Sequence, residues 1–213
     1  MRPSTLAGTP SGVEAASAWG TYVMVHAYTP TAIRNAIAAG VRCIDHGQLM
    51  DEDTARLIAD TGTWLCLQPF LGDDDANPKS DPLGRAKQEM VARGTEAAFE
   101  FATRFGIRTA FGTDTLGSAA LAARQGAQLA KLQRWLSPAE VLRMATSTNA
   151  ELLALSGPRS PYAGRLGVVD EGAIADLILV DGDPLQDLEL IGRPDTAFVV
   201  IVKGGEVVRS TIA

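Results

Sequence analysis

Histidine and cysteine are both scarce in this 213-residue chain, which has two of each, and no stretch of it stays apolar for long. Two isolated cysteines do not make the disulfide framework of a small secreted domain. Cys43 and Cys66 each fall inside a strand-like run and read as small buried residues. The longest apolar runs, 173–180 and 196–202, are of strand length, well short of the ~20 residues that span a bilayer. No segment is expected to cross a membrane. The first ten residues lack the continuous apolar core of a signal peptide, so the expected location is the cytoplasm, with a leader on a missing N-terminal half left open. Clustered basic surface is missing too. A net charge of −6 with both signs evenly mixed argues against nucleic acid as a partner, and no block of like charge marks a tail. Gly204-Gly205 lacks the following helix and the lysine of a phosphate loop, so nucleotide binding has no support.

What remains is an ordinary globular composition, 46% apolar and 21% charged, in a length that suits one large domain or one and a half. Within it a unit repeats. The run Tyr22-Val-Met-Val-His26 reads as a strand, and Thr29 and Pro30 then open a helix with Ala32, Ile33, Ala36 and Ile37 on its apolar face, closed by Gly40. Val41-Arg-Cys-Ile-Asp-His46 is the next strand, followed by a helix from the acidic residues 51–53 to Gly62. A third strand, 63–69, leads into about fifteen residues rich in turn formers, a length that usually marks a functional or mobile loop. A helix over Arg85–Phe105 precedes the fourth run, Arg108-Thr-Ala-Phe-Gly-Thr-Asp114. Beyond a small-residue stretch from Gly117, helices are expected up to Trp135, from a capping box at Ser137 and Glu140 through Ala145, and over Asn149–Leu155. Trp64 and Trp135 read as core or interhelical residues.

Strand and helix alternate four times, which predicts a parallel α/β arrangement amounting to half of a barrel, over residues 1–158. From Gly164 the texture turns β-rich, with a hairpin about Gly204-Gly205, and residues 159–213 are expected to form a small β domain. Two histidines and one aspartate thus each end their own strand, where metal ligands sit in a parallel α/β barrel.

The stretches Val25-His26-Ala27-Tyr28-Thr29-Pro30, Ile44-Asp45-His46-Gly47 and Phe111-Gly112-Thr113-Asp114, with the closing Gly164-Arg-Leu-Gly167 through Asp183-Pro184, resemble in order and spacing the amidohydrolase superfamily. The likeness is to its imidazolonepropionase-like and prolidase-like metal-dependent hydrolases. The resemblance implies a (β/α)8 TIM-type barrel with a β-sandwich built from both chain ends, of which this sequence matches the second half. It assigns His26 to the fifth-strand metal ligand, His46 to the sixth and Asp114 to the eighth. The family's first-strand His-x-His pair and fourth-strand lysine have no counterpart, since both histidines are already used.

The chemistry expected is hydrolysis of a carbon–nitrogen bond in a small-molecule amide, dipeptide or cyclic amide by metal-activated water. Zinc, as one or two ions in the complete site, suits imidazole and carboxylate ligands. Asp114 is also the candidate general acid/base. Tyr28 has two readings, a hydroxyl donor to the oxyanion or substrate carboxylate and a packing tyrosine at a helix start. Gln68 faces the same rim. Asp45 reads as a strand-end polar group or as a hydrogen-bond partner of an imidazole, and Asp73-Asp74-Asp75 as a solvated loop, a ligand set or a selector for basic substrates. The competing expectation is an inactive truncated or split half-barrel that needs a partner polypeptide, or a homo-oligomeric partner, to supply the missing strands. The open edges of a half-barrel favour such pairing.

Overall fold

The computed structural model describes residues 8–73, 75–76, 79–116 and 118–212, with side chains from residue 11 onward. Readings that fell on the first seven residues, Asp74 and Gly117 lie outside the described residues. The chain has an α/β fold in two compact units, one formed by Met1–Gly112 with Ala154–Ser160 and the other by Thr113–Leu153 with Pro161–Ala213.

In the first unit, helix α1 (Gly8–Ala18) precedes three strand–helix pairs and a last strand. These are β1 (Met24–Ala27), α2 (Pro30–Ala38), β2 (Cys43–His46), α3 (Glu52–Thr61), β3 (Trp64–Leu67), α4 (Pro82–Arg104) and β4 (Thr109–Phe111). The four strands lie in chain order and all pair in parallel. Helical crossovers between neighbouring strands are what parallel pairing demands. Ile44, Leu65 and Leu67 on one face of the sheet are fully buried, as are Ile33 on α2 and Ala55 and Ile58 on α3; Ala98 and Phe99 on α4 are nearly so. Over β2–β4 the other face is buried as well, by Cys43, Trp64 and Ala110. On this second face, at β1, Met24 is 40% exposed and His26 is exposed as well, so the sheet is covered on one side and accessible at the β1 edge of the other.

Local chemistry sets the helix ends. Pro30 occupies the first turn of α2 with Thr29 at the cap position, but the Thr29 hydroxyl makes no capping bond. Helix α3 is capped by Asp51, whose Oδ1 accepts from the Thr54 backbone N–H at 2.8 Å and the Thr54 hydroxyl at 2.5 Å, and it ends at Gly62 with φ 64°. Helix α4 begins three residues before the expected Arg85, because Asp81 caps it and Pro82 fills its first position.

In the second unit α5 (Ala119–Ala122) and α6 (Gln125–Ala130) lead into a 3-10 turn over Lys131–Arg134. Helix α7 (Pro138–Arg143) carries the expected Ser137/Glu140 capping box. A π-helical turn, Met144–Thr148, joins it to α8 (Asn149–Ala154), so a continuous helical run stands where the sequence suggests two helices. No glycine or proline lies between Arg143 and Asn149 to break it. After β5 (Leu177–Val180) and the short α9 (Pro194–Ala197), β6 (Phe198–Lys203) and β7 (Glu206–Ser210) complete an antiparallel sheet in the order β5-β6-β7. Its hairpin turns on Gly204 and Gly205 with φ of 58° and 88°, the paired left-handed residues of a two-residue I′ turn.

Both Asp51 carboxylate oxygens also accept from one Arg34 nitrogen, Nη2, at 2.9 Å, which ties α2 to α3. The Thr54 hydroxyl foremost, then its N–H and the Arg34 guanidinium, hold the Asp51 carboxyl below its ordinary value. We predict that Asp51→Ala lowers stability in urea by about 1 kcal/mol at pH 7. The contribution is fully present above the unfolded carboxyl value of about 3.9 and fades as pH falls through the lower folded one. The wild-type and variant midpoints should therefore converge in acid.

Candidate functional site

Strand geometry alone would separate the two histidines. In the β1–β2 register His26 sits opposite Asp45, and His46 opposite Ala27. Side chains alternate across a sheet, so regular backbone would put His26 on one face and His46 on the other. Instead the two rings lie with centroids 4.4 Å apart and planes at 76°. The cause is the backbone of His46, which has φ 83°. That left-handed conformation turns the Cα–Cβ bond out of the strand's alternation. It costs a non-glycine residue of order 1 kcal/mol or more. Gly47 follows at φ 75°, and its N–H donates to the Ala27 carbonyl at 2.9 Å, which locks the strand end to β1.

An aromatic and amide shell packs around His46, while His26 stays exposed. Tyr28 stacks on His46 at 4.6 Å and 15° and meets His26 edge-on at 4.9 Å; Phe70 lies 5.8 Å from His46, near parallel. Gln68, expected at this rim, does face it: its Oε1 is 2.7 Å from His46 Nδ1, and its Nε2 donates to the Cys66 carbonyl at 3.1 Å. Gln48 was not read from the sequence. Its Nε2 donates to the Gln68 carbonyl at 3.3 Å, while its Oε1 is buried without a hydrogen-bond partner. A glutamine two residues after a strand-end histidine gives no sign that it turns inward, and neither does Phe70 at the head of a polar loop.

The remaining candidates divide as follows. Asp114 lies three residues past the end of β4, in the second unit. With His46 it forms the pair of non-glycine residues at positive φ among those described, at 52°. Its carbonyl accepts from the Leu116 N–H at 2.9 Å. Asp45 is on the His26 face, level with Cys66. Asp73 is exposed and accepts from the Asp75 N–H at 3.1 Å, making a local turn of the kind a solvated acidic loop forms. Cys43 and Cys66 are buried thiols. Burial first, then Asp45 and Cys66, push the Cys43 thiol upward, and burial with the Cys43, Asp45 and Cys66 groups raises Tyr22 to about 12.

Zinc–imidazole bonds are about 2.0–2.1 Å long and structural zinc takes four donors. Two imidazoles in contact are the right kind of donor pair. Among the described residues, however, no cluster of three or more His, Cys, Asp or Glu side chains is close enough to hold a metal. The His26–His46 pair supplies two imidazole donors, fewer than such a site takes.

The profile of the amidohydrolase family matches residues 9–208. Ochratoxinase of Aspergillus niger is 29% identical over 199 residues, 91% of this chain and 39% of that protein. The crystal structure of an amidohydrolase superposes with a TM-score of 0.86 at 32% identity, covering 99% of this chain and 50% of the other. A prolidase complexed with N-methylphosphonate-L-proline superposes at 0.85 and 31% identity, over 98% of this chain and 50% of its own. The chain spans half or less of the length of these relatives.

A Cβ on Gly47 would meet Leu65 Cδ1 at 2.9 Å, on a backbone at φ 75°. Gly47→Ala should therefore destabilise the chain by roughly 1–3 kcal/mol, measured as a lowered urea midpoint. It should also weaken the interproton contacts between the two histidine rings.

Proposed function

The chain belongs to the amidohydrolase family, and on that premise we propose that it is the C-terminal half of a metal-dependent hydrolase cleaving a carbon–nitrogen bond. The substrate is a small-molecule amide, dipeptide or cyclic amide, in keeping with the prolidase and ochratoxinase likenesses. One observation carries the reading: two imidazoles meet at the C-terminal ends of adjacent parallel strands, where α/β barrels do their chemistry. In the same proposal residues 1–158 are the last four strand–helix units of a (β/α)8 barrel, and residues 159–213 are strands of a β-sandwich.

His26 and His46 would hold the ion together with Asp114 and with donors outside this chain, the family's His-x-His pair and lysine. Zinc suits such ligands. Bound at these residues, such an ion would supply hydroxide at neutral pH, by lowering the pKa of its water from 15.7 toward ~7. The Asp114 carboxylate takes the proton of the attacking water. As the new carbon–oxygen bond forms and the carbon–nitrogen bond breaks, Asp114 returns that proton to the leaving nitrogen. Ring contact with both imidazoles supports a place for Tyr28 beside the reacting carbonyl, where its hydroxyl donates to the developing oxyanion.

A second reading, a half-barrel that does not catalyse unless another polypeptide supplies the missing ligands, is favoured by the lack of a three-donor cluster among the described residues. One assay separates the two. The purified chain is incubated with zinc and a panel of dipeptides and N-acyl amino acids, alone and with a polypeptide carrying the first four strand–helix units of an amidohydrolase barrel. The proposal expects turnover in the complemented sample and a loss of about 100-fold or more with His26→Ala or His46→Ala. Complemented samples without turnover would overturn the hydrolase reading. Turnover by the chain alone with stoichiometric zinc would overturn the half-site.

A further inference from the structure

Gln68 and His46 are both buried, at 3% and 4% exposed, and their 2.7 Å contact has a readable polarity. The orientation of the Gln68 amide is set independently of the histidine. Its Nε2 lies 3.1 Å from the Cys66 carbonyl oxygen, which only accepts, so the nitrogen must be on that side. The atom facing the imidazole is therefore Oε1. A carboxamide oxygen only accepts as well, so His46 Nδ1 must carry the hydrogen. In neutral imidazole the lone pair then falls on Nε2.

Gln48 braces the same amide. Its Nε2 lies 3.3 Å from the Gln68 carbonyl oxygen and 3.5 Å from Gln68 Oε1. Both are acceptors, which fixes the Gln48 amide with its own Oε1 turned away into a buried place without a partner. A buried unsatisfied acceptor is costly. The arrangement keeps that cost and keeps the amide facing His46.

We infer that Gln68 is a positioning residue that locks His46 in its Nδ1–H tautomer and so leaves Nε2 as the atom that ligates the cation, an assignment that rests on the hydrolase reading for its purpose though not for its geometry. Metal-bound histidines commonly donate their second N–H to a carboxylate, a backbone carbonyl or water. Here the acceptor is a neutral side-chain amide. It fixes the tautomer and the ring's orientation without placing a formal negative charge against the imidazole.

With two histidines in the chain, long-range 1H–15N correlation spectra of the full-length, metal-free protein resolve both rings, above the pH at which they are protonated. In the wild type His46 should show a protonated Nδ1 and an unprotonated Nε2. Gln68→Leu should move His46 toward the Nε2–H form that neutral histidine favours in water, with the His26 pattern unchanged. Gln68→Glu, which keeps an acceptor, should retain Nδ1–H. In zinc titrations Gln68→Leu should bind roughly 10- to 100-fold more weakly than the wild type, and Gln68→Glu should recover most of that loss. A wild-type His46 in the Nε2–H form would overturn the proposal even if Gln68→Leu fails to fold, and so would a tautomer that Gln68→Leu leaves unchanged. The expected tautomers together with no zinc binding by the wild type, even when complemented with the first four strand–helix units, would uphold the lock and count against the metal-dependent hydrolase reading.

Discussion

A left-handed backbone at one non-glycine residue, His46, is the constraint on which the site depends. At φ 83° it reverses the face to which strand alternation would send the side chain, and it brings the imidazole 4.4 Å from that of His26. Ordinary β geometry at this position would put the second imidazole on the face with Ile44, Leu65 and Leu67, the buried core. The strain is opposed by local order. Gly47 takes a second left-handed step and anchors to the Ala27 carbonyl, Tyr28 stacks on the ring, and Gln68 contacts Nδ1. Strain held this way, in a residue bearing reactive chemistry, is what functional sites accumulate.

Much of the frame was legible because it is written in local chemistry. Apolar stripes punctuated by Gly40 and Gly62 gave α2 and α3, Ser137 with Glu140 gave the start of α7, and Gly204-Gly205 gave the hairpin. The parallel sheet followed from alternation of strand and helix. What escaped depends on contacts far apart in the chain or on backbone angles that residue type does not encode. The early start of α4 at Asp81-Pro82 lay inside a segment dense in turn formers. The π turn at Met144–Thr148 has no compositional sign. Strand-end position made His26 and His46 candidates together, but position gives no φ, and the alternation rule by itself argues against their meeting. Gln48 and Phe70 were missed for a related reason: each stands in a loop and turns inward only because of what the fold puts beside it.

Each unit also has surface that a closed domain does not ordinarily leave open. Among the described residues β1 and β4 each have a strand partner on one side only, and edge strands expose unpaired backbone groups. In the antiparallel sheet Ile178 and Leu179 on β5 and Val207 and Val208 on β7 are all more than half exposed. Adjacent residues of a strand point to opposite faces, so apolar side chains are uncovered on both sides of that sheet. These features accord with the proposal that the chain supplies two imidazoles of a metal site and that other residues supply the rest.

The proposed site requires His26 and His46 to act as one donor pair. X-ray absorption at the zinc edge, on the 213-residue chain loaded with one equivalent of zinc, counts imidazole ligands directly. Two imidazole nitrogens at about 2.0–2.1 Å are expected in the wild type, and one in either His26→Ala or His46→Ala. Zinc bound by the wild type through one imidazole or none would contradict it.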